Sequence, residues 1–241
     1  MRRLLELLSR NRVVKRRLPA NLGGRAFYAS PDAALRYWLP GRNYDPLLFD
    51  VARKLVRPGM KVWDVGANVG LFSLAAAHLA GGSGSVLAIE PDPWLVSLLI
   101  RSAQTPAKNA APIQVLASPV SDQRRIALLH VAKRGRASNF IGTGRGESGG
   151  ERYSMPVSTL TLDSLLESFP APDLLKIDIE GMEYLALKGA QEVLTYRPVI
   201  FAEIAEPNRK LVEELLSGYR FLFTNLQPAP HVPYNLIAVP Q

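Results

Sequence analysis

Asp64-x-Gly66-x-Asn68-x-Gly70 is followed, twenty residues after its last glycine, by a lone acid, Glu90. Glycines at 66 and 70 let a backbone turn sharply and pass close to a ligand. An acid about 20 residues beyond such a turn can accept both hydroxyls of a ribose. A second set of acids lies far downstream in Lys176-Ile177-Asp178-Ile179-Glu180-Gly181-Met182-Glu183. Carboxylates positioned at a ligand can orient a hydroxyl group or take its proton.

These residues need elements to hold them. Lys61 to Val65 reads as a short buried strand, residues 69 to 80 as a mostly apolar helix, and Ser85 to Glu90 as a strand returning beside the first. Glu90 then ends a strand, where it can meet a nucleotide held by the glycine turn. A dinucleotide fingerprint beginning at Gly66 would require glycines where Asn68 and Leu71 stand. An acid at position 64 suits a cationic or zwitterionic ligand better than a pyrophosphate. The arrangement resembles the first motif of class I S-adenosylmethionine (SAM) dependent methyltransferases; the plainer alternative is a tight strand-to-helix turn with Asp64 as a helix cap.

The alternation continues with a helix over 93–103 and a strand over 113–117, which predicts an α/β, Rossmann-like, doubly wound and mostly parallel sheet. Strands over 172–178 and 198–204 follow, with helices over 182–194 and 208–216. A closing hairpin of 220–224 and 234–239 predicts an antiparallel C-terminal edge strand. Gly189 inside the 182–194 helix costs about 1 kcal/mol against alanine, so close packing against a neighbour is expected there. Extended runs over 124–131 and 152–159 enclose Lys133 to Gly150, a glycine-rich and basic stretch expected to form a mobile loop over the site. Upstream, a helix over 46–56 leads into the first core strand, and residues 25–30 and 34–39 flank Pro31-Asp32 as a predicted hairpin. The expected division is a basic helix and hairpin extension over 1–43 and a catalytic domain over 44–241.

The second acidic group falls where the 172–178 strand ends, the edge at which open α/β sheets bind ligands. Lys176 and Asp178 share a strand face and can pair. Glu183 reads as a favourable charge in the first turn of a helix. Asp178 and Glu180 are the candidate functional carboxylates.

A chain of 241 residues with 47% apolar residues can bury a full core. The absence of cysteine excludes disulfides and thiolate metal sites and is compatible with a cytoplasmic location. His78, His130 and His231 lie far apart with no ligand spacing, and no metal site is assigned. No apolar run approaches the roughly 20 residues of a bilayer-spanning helix. Of the net charge of +8, residues 1–17 carry +6, from seven basic residues against Glu6. A helix with Leu4, Leu5 and Leu8 on one stripe could lie on an anionic membrane surface, dock on a partner, or pack on its own domain. Glu6 and Ser9 interrupt the apolar stretch and argue against a secretory signal. Arginine interleaved with leucine, not stacking aromatics, argues against nucleic acid as the partner of this arm.

With both motifs together, residues 44–239 resemble the FkbM family of SAM-dependent methyltransferases. The likeness rests on Asp64-Val65-Gly66-Ala67-Asn68-Val69-Gly70, Glu90-Pro91, Thr161 to Leu166, Lys176 to Glu183, Leu187 to Ala190, Arg197 to Ile200 and Asn235 to Pro240. It implies that Asp64, Gly66, Asn68 and Gly70 line the methionine end of SAM, that Glu90, with Pro91, holds the ribose, and that Ser121 and Asp122 lie near the adenine. The chain departs from the family over 104–111, which lacks the usual asparagine-rich stretch, and over 118–122, where a small-residue approach to the adenine is altered. The resemblance implies O-methylation of a sugar, glycan or natural-product hydroxyl; no histidine lies in these motifs, so Glu180 or Asp178, at the strand's carboxyl edge, is the expected base. Two other classes stand beside it: a nucleic-acid methyltransferase using the basic arm, and a non-catalytic SAM-binding regulatory module.

Overall fold

The computed structural model describes residues 11–38, 44–132, 139–141, 150–226 and 234–241. Strands β1 (Val14–Arg17) and β2 (Ala26–Ala29) pair as an antiparallel ribbon, and a 3-10 turn over Leu35–Trp38 leads to helix α1 (Pro46–Leu55). Asp45 starts α1 by accepting from the backbone N–H of Leu48, and Pro46 occupies the first helical position, where a missing N–H costs nothing. Then follow β3 (Lys61–Val65), α2 (Leu71–Ala80), β4 (Ser85–Ile89), α3 (Pro93–Ala103) and β5 (Ile113–Leu116). An antiparallel β6 (Ile126–Ala132), β7 (Phe140–Ile141) and β8 (Glu151–Ser158) come next. The chain closes with α4 (Leu162–Leu165), β9 (Leu174–Ile177), α5 (Glu183–Lys188), α6 (Gln191–Thr195), β10 (Val199–Ile204), α7 (Arg209–Gly218), β11 (Phe221–Asn225) and β12 (Tyr234–Pro240).

The main sheet has seven strands in the order β11-β12-β10-β9-β3-β4-β5. Its strands run parallel except β12, which is antiparallel to both neighbours. Alternate side chains feed two cores. Val62, Val86, Leu174 and Phe201 pack with α1, α2 and the β1–β2 segment on one face. Trp63, Leu87, Leu175 and Ile200 pack with α4 to α7 on the other. This is the doubly wound architecture predicted, with the antiparallel strand one place in from the edge. Residues 234–238 are all buried, so β12 belongs inside the sheet, whereas β11 alternates buried and exposed and tolerates the edge.

Two further expectations are corrected. The hairpin predicted over 25–39 does not form: β2 pairs with β1, and the chain after Ser30 turns inward to bury Tyr37 against Phe27 and Tyr44. The helix predicted over 182–194 is two helices broken at Gly189–Ala190. Gly189 does pack closely, since a Cβ there would come within 2.4 Å of the Ser121 carbonyl oxygen. The leucine-striped N-terminal helix and most of the 133–150 loop lie outside the described residues. Val14–Arg17, at the end of the basic segment, is strand, and Arg16 donates to the Tyr37 and Trp38 carbonyls at 2.9 Å each.

Candidate active site

β3, β4 and β9 run parallel, and each hands over to a site residue at its C-terminal end: Gly66, Glu90 and Asp178. β10 contributes Glu203 near its own end. Their carboxyl edges frame a cleft of about 270 Å³ that includes Gly66, Asn68, Glu90, Asp178, Glu180 and Glu203 in its walls. A smaller recess of about 90 Å³ adjoins it, sharing Gly66, Asn68, Asp178 and Glu203.

The turn after β3 is held by the backbone and by its own side chains. The N–H groups of Gly66 and Ala67 both donate to the Ile89 carbonyl, which ties the turn to β4. Gly66 has φ +77°, and a Cβ there would lie 1.9 Å from the Asp178 carbonyl oxygen, so neither the conformation nor the space admits a side chain. Gly70 starts α2 at φ +87° against Leu99. Beneath the turn Lys176 Nζ donates to the Gly66 carbonyl at 2.8 Å and lies 3.1 Å from Asp64 and 3.4 Å from Asp178. Burial alone would discharge this lysine, but Asp64 and then Asp178 outweigh it and hold the ammonium well above its usual range. Asp64 also accepts from Ser73 Oγ at 2.5 Å. Asp64 and Gly70 are therefore not in the cleft wall; they fix the loop from behind.

Glu90 is 5% exposed and each of its oxygens accepts one backbone N–H, from Asn68 and from Asp92, both at 2.9 Å. A carboxylate oxygen has a second lone pair, so Glu90 retains capacity for two further donors. Burial pushes its carboxyl up to about 7, against the pull of the two N–H groups. Pro91 lines the same end, with Ser118, Pro119 and Val120 opposite. Ser121 and Asp122 do not reach the cleft. Ser121 is buried beside Gly189, and Asp122 pairs with Lys188 at 3.1 Å.

At the other end stand Asp178, Glu180 and Glu203. Asp178 is tied to Lys176, and Glu180 is exposed at the turn with φ +32°. Glu203 is pushed up to about 7 by burial first, then by the charges of Asp178 and Glu180. Glu183 turns away: it is buried and accepts from the Gly181 N–H at 2.7 Å and from Asn208 at 3.0 Å, closing the start of α5.

Several cleft residues carried no sequence motif. Arg36 and Asp45, paired at 3.1 Å, come from the N-terminal segment. Asn139 is fixed by the Asp92 carboxylate and by the Ala132 N–H, and Ile141 beside it also lines the cleft. Glu203 had a usable signal, since it is the one acid in an otherwise apolar strand and lies next to its last residue, much as Glu90 follows its own strand. Among the described residues no group of three or more His, Cys, Asp or Glu is arranged to hold a metal ion, and no helix is long and apolar enough to cross a membrane.

A mostly parallel sheet of this strand order, with a glycine turn after β3 and a buried acid after β4, defines a class I SAM-dependent methyltransferase. The chain belongs to the family described as "Methyltransferase FkbM domain", whose profile matches residues 64–224. It is 29% identical over 174 residues to hexuronic acid methyltransferase AglP of Haloferax volcanii, covering 70% of this chain and 67% of that protein. Methyltransferase FkbM from Methylobacillus flagellatus superposes with a TM-score of 0.53 at 16% identity, over 79% of this chain and 50% of the other, so this chain spans half its length. A SAM-dependent O-methyltransferase from Thermotoga maritima superposes with a TM-score of 0.50 at 13% identity, over 89% of this chain and 73% of the other. At such identities the two superpositions establish the fold. SAM is the methyl donor of this family, and the cleft fits it: Glu90 has acceptor capacity for two hydroxyls, and the acids opposite suit a cation.

Proposed function

We propose that this protein transfers the methyl group of SAM to a hydroxyl of a sugar or glycan. The observation that carries this reading is the division of one cleft into a nucleoside end at Glu90 and a carboxylate end at Asp178, Glu180 and Glu203. Sugars are dense in hydroxyl donors, and carboxylates accept only. The likeness to a hexuronic acid methyltransferase supports a sugar acceptor.

In this reading Glu90 receives the ribose hydroxyls, Gly66 and Asn68 lie along the methionine part, and Pro91 with Ser118 to Val120 borders the adenine. Asp64 and Gly70 serve the cofactor indirectly by fixing the turn, and Ser121 and Asp122 support the adenine wall from behind. When bound, SAM supplies an electrophilic methyl on a positively charged sulfur. The protein's own task is to align the acceptor oxygen and exclude water, which can remove about 7–11 kcal/mol of barrier. Asp178 and Glu180 orient the acceptor by accepting from its hydroxyls, and Lys176 holds Asp178 in place.

Incubating the purified chain with methyl-labelled SAM and separate pools of hexosides, hexuronides, lipids, small phenols and RNA tests the proposal. Label is expected in the sugar pools. Labelling of RNA alone would replace the reading with a nucleic-acid methyltransferase. SAM binding without transfer to any pool would favour a regulatory module.

A further inference from the structure

We propose that Glu203 is the catalytic base, whose carboxylate takes the proton of the acceptor hydroxyl while Asp178 and Glu180 hold the sugar. This rests on the hydroxyl-acceptor reading above and assigns the proton to a residue that no motif singled out. The placement follows from register. In the parallel pair β9–β10, Ala202 lies opposite Ile177, so Glu203 comes beside Asp178 at the carboxyl edge. Glu203 borders both the main cleft and the adjoining recess, at the junction where a second molecule entering beside the cofactor would meet it.

The other two acids are less suited. Asp178 is 3.4 Å from the buried ammonium of Lys176, which ties its carboxylate to the turn. Glu180 is exposed at the turn and does not enclose a bound hydroxyl as a more buried group can. Glu203 is more enclosed, and the charged groups around it come from three directions: Asp178, Glu180 and Lys176 from β9 and its turn, Asp45 from the start of α1, and Arg36 across the cleft. On β12 its register partner is the uncharged Asn235. Burial and the two neighbouring carboxylates move its proton affinity to about 7, with Lys176 opposing them. A base is most effective when its affinity lies near the working pH.

The step balances simply. The acceptor oxygen forms the new carbon–oxygen bond, the methyl–sulfur bond breaks with its electron pair remaining on sulfur, and the hydroxyl proton passes to Glu203. Deprotonation of Glu203 by solvent then restores the base.

Two measurements on the full chain test this. With carboxyl-¹³C glutamate and saturating S-adenosylhomocysteine, NMR should show one glutamate titrating near 7 that disappears in Glu203→Gln. In single turnover with the sugar that takes up label, Glu203→Gln should lose about 10²–10⁴ in transfer rate and the rate limb near neutrality. Its affinity for S-adenosylhomocysteine should match the parent's, which also reports that the variant is folded. An ordinary titration of Glu203, or ether formation by Glu203→Gln at the parent rate, overturns this assignment alone. A product that is a methyl ester overturns it together with the hydroxyl reading, because a carboxylate acceptor has no proton to give.

Discussion

The raised carboxyl of Glu90 makes cofactor affinity depend on pH in a way that can be calculated. In the free protein the group titrates at about 7, against an ordinary value of 4.5. Ribose hydroxyls donating to both oxygens stabilise only the ionised form, so binding returns the group toward its ordinary value and expels a proton. If it returns fully, linkage makes the apparent affinity roughly 30-fold weaker at about pH 5.5 than at about pH 8, with about 0.9 proton released per molecule at about pH 6. Calorimetry of S-adenosylhomocysteine binding in buffers of different ionisation enthalpy reads both quantities. Glu90→Gln should flatten the pH dependence and weaken binding at about pH 8 by about 1–3 kcal/mol. Its amide would turn an N–H₂ toward one of the two backbone donors that the carboxylate now satisfies. The sign for the free protein is opposite. A folded value above the unfolded one stabilises fully below 4.5 and is lost as pH rises through about 7, by roughly 3 kcal/mol. Cofactor affinity that does not change with pH, with no proton released, would mean that Glu90 does not receive the ribose hydroxyls.

Gly66→Ala should cost more than about 4 kcal/mol in denaturant unfolding, because its methyl would overlap a backbone carbonyl at a positive φ. Asp64→Asn should destabilise by about 3 kcal/mol, since Asp64 is fully buried against Lys176. Asp178→Asn, at a side chain 40% exposed, should cost under about 1 kcal/mol, and the same unfolding titrations compare the two. Deleting residues 1–10 should leave S-adenosylhomocysteine affinity unchanged; if this segment binds anionic membrane, the deletion and high salt should each reduce flotation with anionic liposomes, and equal flotation would remove that proposal.

The parallel core and the cofactor turn were legible because each has a local signature. A glycine-punctuated turn, a strand of uninterrupted apolar residues and a lone terminal acid are all consequences of backbone geometry and burial. The order of the last two strands was not, since β12 enters between β10 and β11 through long-range pairing that leaves no local mark. The same limit applies to β1, which pairs with β2 while Phe27 of that strand packs against Tyr37 and Tyr44. Arg36 and Asp45 reach the cleft because the chain before β3 packs on one face of the sheet. Glu203 could have been found by a rule close to the one that selected Glu90, an acid at the end region of a buried strand, but it lacked a glycine turn beside it. Motif spacing grouped Asp64 with the cofactor residues and did not distinguish a group that lines the cleft from one that fixes the turn beneath it.

Methyl transfer to a sugar hydroxyl leaves an ether, a product that alkali distinguishes from an ester. The purified chain, labelled SAM and a hexoside or hexuronide acceptor should yield a methylated sugar whose label survives mild alkali, with fragmentation placing the methyl on a ring or exocyclic hydroxyl oxygen. Label released by mild alkali from a hexuronide carboxyl, as a methyl ester, would mean that the acceptor is not a hydroxyl.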